Sequence, residues 1–215
     1  MPIETSSLEI DALRGGISMT TIPVAPHSLR AALFPKSTLL TNGALAIGGV
    51  AFLSLMAQIA LPIPGSPVPV TGQTLGALLI GASYGSALGA STFALYLAIG
   101  IAGAPVFSNQ GHGLAKFVGP TGGYLVGMFL ATLVLSFLAS KRWDKKIHTA
   151  IISMAIGQLV IFTPGLYWLQ HATGKDWQWT INAGLTPFIF GEILKIAIAA
   201  TALPVLWRVV DKRRS

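Results

Sequence analysis

Two charged residues stand one helical turn apart in an otherwise apolar stretch near the end of the chain. Between Pro187 and Leu206 the only charged side chains are those of Glu192 and Lys195. A charge near the centre of a membrane-spanning helix costs about 2.5–3.5 kcal/mol, so such a pair indicates a functional site. Their spacing places the carboxylate and the ammonium on one helix face, where they can pair or bind one ligand together. The alternative is a structural ion pair that holds this helix against its neighbours.

Further polar residues near the predicted outer side could complete a site with this pair: Gln73, Asn109, Lys116 and Tyr124. A carboxylate accepts N–H groups and an ammonium donates to carbonyl oxygens, so the set suits a small amide-like or urea-like ligand. Lys116 would suit a ligand carboxylate. Each residue also has a simpler interpretation. Gln73 could cap a helix and Asn109 could form a turn, while Lys116 could lie in water and Tyr124 in an interfacial aromatic belt.

The composition indicates a polytopic membrane protein. Of the 215 residues, 53% are hydrophobic and only 10% are charged, whereas soluble domains carry about 25% charged residues. The length suits one membrane domain and leaves no room for a second sizeable one. The sequence contains no cysteine, which excludes disulfides, thiolate metal sites and cysteine nucleophiles.

The net charge is +7, but the basic residues are distributed as in a membrane protein and do not form a nucleic-acid-binding surface. We therefore expect no nucleic-acid partner. Eleven of the fourteen Lys and Arg residues lie in three groups that we assign to the cytoplasm: Arg14, Arg30 and Lys36; Lys141, Arg142, Lys145 and Lys146; Arg208, Lys212, Arg213 and Arg214. Only Lys116 and Lys175 fall in the predicted outer loops. This asymmetry is the positive-inside pattern of proteins in a lipid bilayer.

Hydropathy and charge together predict an all-α integral membrane protein with six transmembrane helices and both termini in the cytoplasm. The predicted spans are 39–61, 72–84, 86–102, 122–140, 147–170 and 183–206. The chain accordingly divides into a flexible cytoplasmic N-terminal arm, residues 1–36, and a membrane domain, residues 37–215. The outer loops are then 62–71, 103–121 and 171–182, of which the first is proline-rich, stiff and extended.

Residues 72–102 need an argument beyond hydropathy. As one helix they would extend about 46 Å, against a hydrocarbon core of about 30 Å, yet they are too few for two full spans. The arm and the Lys141–Lys146 cluster are both assigned to the cytoplasm, so an even number of crossings must separate them. The segment therefore crosses twice, with a bend at residues 83–86.

Ala44 and Gly48 form a small-xxx-small pair in the first span. Small residues let another helix approach closely in lipid, where packing drives association. The partner could be a second protein or another helix of the same chain.

Several kinds of chemistry are missing from the sequence. It holds no P-loop, no His-Glu-x-x-His and no Gly-x-Ser-x-Gly motif, so we expect neither ATP hydrolysis by a P-loop nor catalysis of these types. The four histidines lie far apart in the sequence, and we expect no metal site and no catalytic residue.

Four segments, in this order, resemble the BioY family, the biotin-specific S components of energy-coupling-factor (ECF) transporters. They are Pro67-Val68-Pro69-Val70-Thr71-Gly72-Gln73-Thr74-Leu75-Gly76, Gly103-Ala104-Pro105-Val106-Phe107, Gly119-Pro120-Thr121-Gly122-Gly123-Tyr124-Leu125, and Pro187-Phe188-Ile189-Phe190-Gly191-Glu192-Ile193-Leu194-Lys195. The resemblance covers roughly residues 40–206. It implies the S-component fold and high-affinity capture of biotin from outside a bacterial cytoplasmic membrane. It also implies a transmembrane coupling protein and paired cytoplasmic ATPases as partners, with biotin as the transported ligand and no cofactor.

The resemblance also implies roles for individual residues. Glu192 and Lys195 would bind the ureido ring of biotin, and the valerate end would meet Asn109, Lys116 and Tyr124. The loop 62–71 would act as a lid, and the Ala44/Gly48 pair would contact the coupling protein.

The sequence departs from the family pattern at two positions. Glu192 stands where the family usually has Asp, and Leu125 stands where some members have Arg. Lys116 is therefore our candidate for the partner of the ligand carboxylate.

Two other functions fit parts of the pattern. A proton-coupled secondary transporter of a small carboxylated vitamin could use Glu192 as its titrating group. An intramembrane enzyme could use Glu192 as an acid or base, although no nucleophile or metal set accompanies it.

Overall fold

The computed structural model describes residues 28–35 and 38–213, and these are almost entirely helical. Most of the predicted arm, residues 1–27 and 36, lies outside the described residues. The regular elements are α1 Leu29–Leu33, α2 Leu39–Gln58, β1 Ala60–Leu61, β2 Val70–Thr71, α3 Gln73–Tyr84, α4 Ser86–Ile101, α5 Gly113–Val118, α6 Gly122–Ser140, α7 Ile147–Thr173, α8 Trp177–Gly184 and α9 Ile189–Lys212. Single 3₁₀ turns occupy Ser108–Gln110 and Thr186–Phe188.

Four segments of the described chain are long and apolar enough to cross a membrane: α2, α6, α7 and Trp177–Lys212, which contains α8 and α9. Helix α4 is a shorter apolar helix. These segments differ in how deeply they are buried: 61% of the apolar part of α6 is buried inside the structure, but only 17% of that of α2. Helix α6 is therefore central to the bundle, and α2 exposes most of its surface.

Helices α6 and α7 pack in unusually close contact because α6 presents glycine to its neighbour. A Cβ atom at Gly123 or Gly127 would overlap the α7 backbone at Pro164 or Ile161. Small residues at a helix interface permit this approach in a membrane, where van der Waals packing replaces the hydrophobic effect as the driving force.

Residues 72–102 form two helices that meet at Gly85, inside the expected bend at residues 83–86. The φ angle of Gly85 is +82°, a conformation that glycine adopts at no steric cost. Helix α3 has 12 residues and is therefore about 18 Å long, too short to cross a hydrocarbon core alone. Most of its residues are buried, so the surrounding helices cover it.

Three predicted spans differ from the observed helices at their ends by more than one residue. The span 147–170 continues to Thr173, and the last span ends at Lys212 instead of residue 206. The span 39–61 stops early, because Ala60 and Leu61 leave the helix to pair with Val70 and Thr71 in an antiparallel hairpin. The span 183–206 starts late, because α8 ends at Gly184 and α9 begins only at Ile189. Pro187 lies in the 3₁₀ turn between them, where its missing N–H is tolerated.

The described part of the predicted arm packs against the membrane domain. Ser28 caps α1 by accepting a hydrogen bond from the Ala31 N–H. Leu29 and Ala32 form a buried apolar cluster with Trp207 and Val210 of α9. These contacts join residues 28–33 to the end of α9.

Candidate binding site

Two helices begin side by side and place the polar residues of the site. Gln73 and Thr74 open α3 directly after the β1–β2 hairpin, and Glu192 lies in the first turn of α9. A helix N-terminus carries partial positive charge, which favours a carboxylate at this position. The hairpin before α3 and the turn at Pro187 before α9 therefore determine where these polar residues lie.

Glu192 is almost fully buried, with 6% of its surface exposed, and both of its carboxylate oxygens have partners. Lys195 Nζ donates to Oε1 over 2.6 Å. Thr74 Oγ1 lies 3.1 Å from Oε1 and 2.9 Å from Oε2. Gln158 Nε2, from α7, donates to Oε2. The buried charge is thus neutralised by an ion pair and bonded to side chains from two other helices, as buried charges require.

The ammonium of Lys195 is bonded in three directions. Besides Glu192, Nζ donates to the backbone carbonyl of Thr71 over 2.6 Å and to Thr74 Oγ1 over 2.9 Å. These bonds use the three donors of an ammonium group. Lys195 therefore connects α9 with the β2 strand and with the start of α3.

A cavity opens beside Glu192 at the end of the bundle where α3, α6 and α9 begin. Its walls are formed by Val68, Pro69, Thr71, Gln73, Thr74, Phe107, Ser108, Thr121, Tyr124, Leu125, Met128, Phe162, Phe188 and Glu192. The cavity volume is ≈30 Å³, which is small beside the volume of ordinary ligand pockets. A ligand larger than a few water molecules therefore requires the walls of the cavity to move.

Aromatic rings cover one wall of the cavity. The Tyr124 ring meets that of Phe162 edge to face at 5.7 Å and stacks on Phe188 at 6.4 Å, between ring centroids. The Phe162 and Phe188 rings are 5.8 Å apart. Apolar walls with a few convergent polar groups are typical of small-molecule sites.

The proline-rich segment between β1 and β2 covers the cavity, and Val68 and Pro69 line it. The hydroxyl of Ser66 donates to the Ala183 carbonyl of α8 over 2.8 Å. The segment is thus held at its tip by Ser66 and at its base by Lys195.

The structure brings four of the predicted site residues together. Gln73, Tyr124 and Glu192 line the cavity, and Lys195 reaches it through Glu192. The Gln73 amide donates to the Tyr96 hydroxyl over 2.7 Å, and the Tyr124 hydroxyl donates to the Gly184 carbonyl over 2.9 Å.

The structure places the other two predicted residues outside the cavity lining. Asn109 is exposed, with a left-handed φ of 56° in the 3₁₀ turn. Lys116 is half-buried, and its aliphatic stem lies against Gly111. Both belong to the 103–121 segment, which contributes Phe107 and Ser108 to the wall instead. Their predicted role at the valerate end remains a prediction.

Sequence reasoning missed Thr74 and Gln158 as site residues. Thr74 follows Gln73 directly and is buried against Glu192. Gln158 is an amide within the apolar helix α7, and polar side chains inside such helices usually bond across helices. That signal was present in the sequence for Gln158, whereas Thr74 had no comparable one.

Ala44 and Gly48 lie on the open side of α2. Both are exposed, and a Cβ atom at Gly48 would meet nothing within 4 Å in the described structure. The small-residue pair is therefore not used for packing within the described chain. Nor do the described residues contain a group of three or more His, Cys, Asp or Glu placed to hold a metal ion.

Comparisons with known proteins by sequence point to one family. The model of the BioY family matches residues 28–212. The biotin transporter BioY2 of Lactococcus lactis subsp. cremoris (strain MG1363) is 34% identical over 147 residues, which are 68% of this chain and 79% of that protein. The biotin transporter BioY of Thermotoga maritima is 34% identical over 140 residues, 65% of this chain and 81% of that one.

A solved structure shares the fold. The crystal structure of the S-component for biotin from an ECF-type ABC transporter superposes with a TM-score of 0.70 and 22% sequence identity. The match covers 80% of this chain and 95% of the other. The fold is therefore that of an S-component.

Proposed function

The chain belongs to the BioY family, and on this basis we propose that it is the biotin-binding membrane subunit of a vitamin uptake system. It captures biotin with high affinity from outside the cell. Partner subunits, a transmembrane coupling protein and paired cytoplasmic ATPases, energise the uptake. The protein lies in a bacterial cytoplasmic membrane with six spans and both termini inside, and it performs no catalysis of its own.

The observation that carries this proposal is the buried Glu192–Lys195 pair at the polar end of an apolar cavity. Biotin combines a cyclic urea with an apolar sulfur-containing ring and a carboxylate tail. A carboxylate matches the urea N–H groups, and aromatic walls match the apolar ring. The cavity volume of ≈30 Å³ is far below the range of about 300–1,000 Å³ for ligand pockets, so biotin binds only after the walls of the cavity have moved apart.

The other predicted residues complete the proposed pose. The Glu192 end binds the ureido ring, so the valerate points toward the 103–121 segment, which carries Asn109 and Lys116. Tyr124, which lines the cavity as Gln73 does, meets the valerate together with these two residues. Movement of the lid, residues 62–71, opens the closed cavity to the ligand.

The test is binding of labelled biotin to the purified full chain in detergent without nucleotide. We expect tight binding by the wild type. Glu192→Gln should weaken it about 10-fold to 100-fold, because hydrogen bonds to a charged group contribute about 1.5–3 kcal/mol. The control is Asp211→Asn, which neutralises a carboxylate that pairs with Lys145 on the surface. Absence of binding at micromolar biotin by the wild type would contradict the proposal.

A cellular experiment separates this function from proton-coupled transport through Glu192. An S-component depends on its partner ATPases, so uptake should stop when the ATPases are inactivated. Uptake that persists without them and collapses with the proton gradient would favour the secondary transporter.

A further inference from the structure

Gln158 has hydrogen-bonding capacity that the fold does not use. Its side chain is 7% exposed and lies in the apolar helix α7. The Nε2 atom donates to Glu192 Oε2, but Oε1 is buried and accepts no hydrogen bond within residues 28–35 and 38–213. A buried acceptor without a partner is destabilising, so its presence needs an explanation.

The orientation of the amide follows from its neighbour. A carboxylate only accepts hydrogen bonds, so the nitrogen of Gln158 and not its oxygen must face Glu192. The nitrogen carries two hydrogens, and one of them serves Glu192. The other N–H and Oε1 form an edge with one donor and one acceptor. The described structure gives that edge no partner.

The unused edge is covered in this structure, and it lies one hydrogen bond away from the cavity that Glu192 lines. On its other side Gln158 borders an apolar groove between α7 and α9, and Glu192 and Phe162 line both the groove and the cavity. Glu192 and Phe162 therefore stand between the two spaces. A ligand that enlarges the tight cavity beside Glu192 comes within reach of Gln158.

We propose that Gln158 is a recognition residue for the cyclic urea of the ligand. This inference rests on the proposed function and adds a residue to its site. In a cyclic urea an N–H and the carbonyl lie on the same side, so they present one donor and one acceptor next to each other. The Gln158 edge is complementary to that pair: Oε1 accepts the urea N–H, and the second N–H of Nε2 donates to the urea oxygen. Glu192 then accepts the other urea N–H.

The arrangement accounts for a buried amide on an apolar helix. Without ligand, Gln158 donates a hydrogen bond to Glu192 Oε2. With ligand bound it keeps this bond and forms two more, one to the urea N–H and one to the urea oxygen. Recognition by paired polar groups is selective, because an analogue that lacks the matching group leaves them unpaired.

The experiment measures the dissociation constants of three ligands with the full chain in detergent. The ligands are biotin and two analogues in which oxygen replaces one or the other ureido N–H. The variant Gln158→Met keeps the length of the side chain and removes its hydrogen bonds. The matched control is Gln170→Met on the same helix, a half-buried residue whose amide donates to the Lys175 carbonyl in a solvent-accessible hydrogen bond.

We expect Gln158→Met to weaken biotin binding about 10-fold, the value of 1–2 neutral hydrogen bonds, and Gln170→Met to leave it unchanged. For the analogue that lacks the N–H contacted by Gln158, the same substitution should weaken binding by only about 3-fold or less. For the other analogue it should weaken binding about 10-fold, as for biotin. Such ligand-specific coupling cannot come from a purely structural role, which would weaken all three ligands equally.

Equal losses for the three ligands, or wild-type affinity in Gln158→Met, would overturn this inference while leaving the proposed function intact. Failure of the wild type to bind biotin would instead overturn the proposed function, and this inference with it. Should Gln158→Met not fold, Gln158→Asn supplies the same comparison, because it retains the amide but withdraws it by one methylene.

Discussion

Lys195 Nζ and the Thr71 carbonyl oxygen are 2.6 Å apart, so the ammonium that neutralises Glu192 also holds the base of the proline-rich segment 62–71, the proposed lid. The β2 strand to which Thr71 belongs pairs with β1 and ends one residue before α3. The charge pair and the lid therefore share one bonding network. A ligand that changes the contacts of Lys195 necessarily changes how the lid is held.

Lys195→Met should destabilise the protein as well as weaken biotin binding. The substitution leaves the Glu192 carboxylate buried without its counter-ion, which typically costs about 3–5 kcal/mol. The measurement is thermal unfolding of the purified variant in detergent, together with its affinity for biotin.

The double variant Glu192→Gln/Lys195→Met is the control for this prediction. It removes both charges and should recover part of the lost stability without recovering affinity, because no unpaired charge remains. If the double variant were less stable than Lys195→Met, the ion pair would not be what stabilises this end of the cavity.

Ser66→Ala should speed the release of biotin. The variant loses the hydrogen bond from the lid tip to the Ala183 carbonyl, worth about 1 kcal/mol. We expect the dissociation rate, followed by chasing labelled biotin with unlabelled biotin, to rise about 5-fold. Ser91→Ala is the control, since that exposed hydroxyl donates to Leu88 within its own helix. Equal rates in wild type and Ser66→Ala would show that this contact does not limit lid opening.

Gly48→Leu should separate ligand binding from assembly. The site is open and exposed, so the larger side chain should leave stability and biotin affinity unchanged. It should nevertheless block close approach of a partner helix and abolish co-purification with the proposed coupling protein. Ala197→Leu is the control on the exposed side of α9 and should co-purify normally. Normal assembly of Gly48→Leu would place the docking surface elsewhere.

Asp144 should make stability depend on pH. Burial raises the pKa of its carboxyl above the ordinary value of 3.8, while the Trp207 hydrogen bond and the charges of Lys145 and Arg142 act in the opposite direction. Because the folded-state pKa is the higher one, this contribution to stability is complete at low pH and is lost as pH rises through the folded-state pKa.

Asp144→Asn should therefore be more stable than the wild type at pH 7, and the difference should vanish toward pH 3.8. An asparagine can still accept the hydrogen bond that Trp207 Nε1 donates to Asp144. The measurement is thermal unfolding across this pH range, with Asp211→Asn as the exposed control. A difference that is constant with pH would contradict the prediction.

The parts of the site that could be predicted were those with a clear physical signal. Glu192 and Lys195 stand out because charge is costly in an apolar helix. The bend at Gly85 followed from helix length and from the parity of crossings. Gln73 and Tyr124 were predicted because they are polar residues near the predicted outer side, and both line the cavity.

The remaining features depend on tertiary contacts. Asn109 and Lys116 lie in a loop whose path is set by Phe107, which is buried against Tyr96 with ring centroids 5.5 Å apart. Hydropathy alone does not distinguish a helix from a 3₁₀ turn, so the break before Ile189 was hidden in the apolar stretch 183–206. The role of Thr74 depends on α3 and α9 starting side by side, which no local pattern reports.

The ion pair of α9 also bears on how the protein is made. Glu192 and Lys195 belong to one helix and are three residues apart, so the pair can form once a single turn has wound. A newly synthesised α9 would thus leave the insertion machinery carrying its own counter-charge, before α3 or α7 had docked beside it. Moving either residue to another helix would keep the folded contact but would expose a lone charge to lipid during biogenesis.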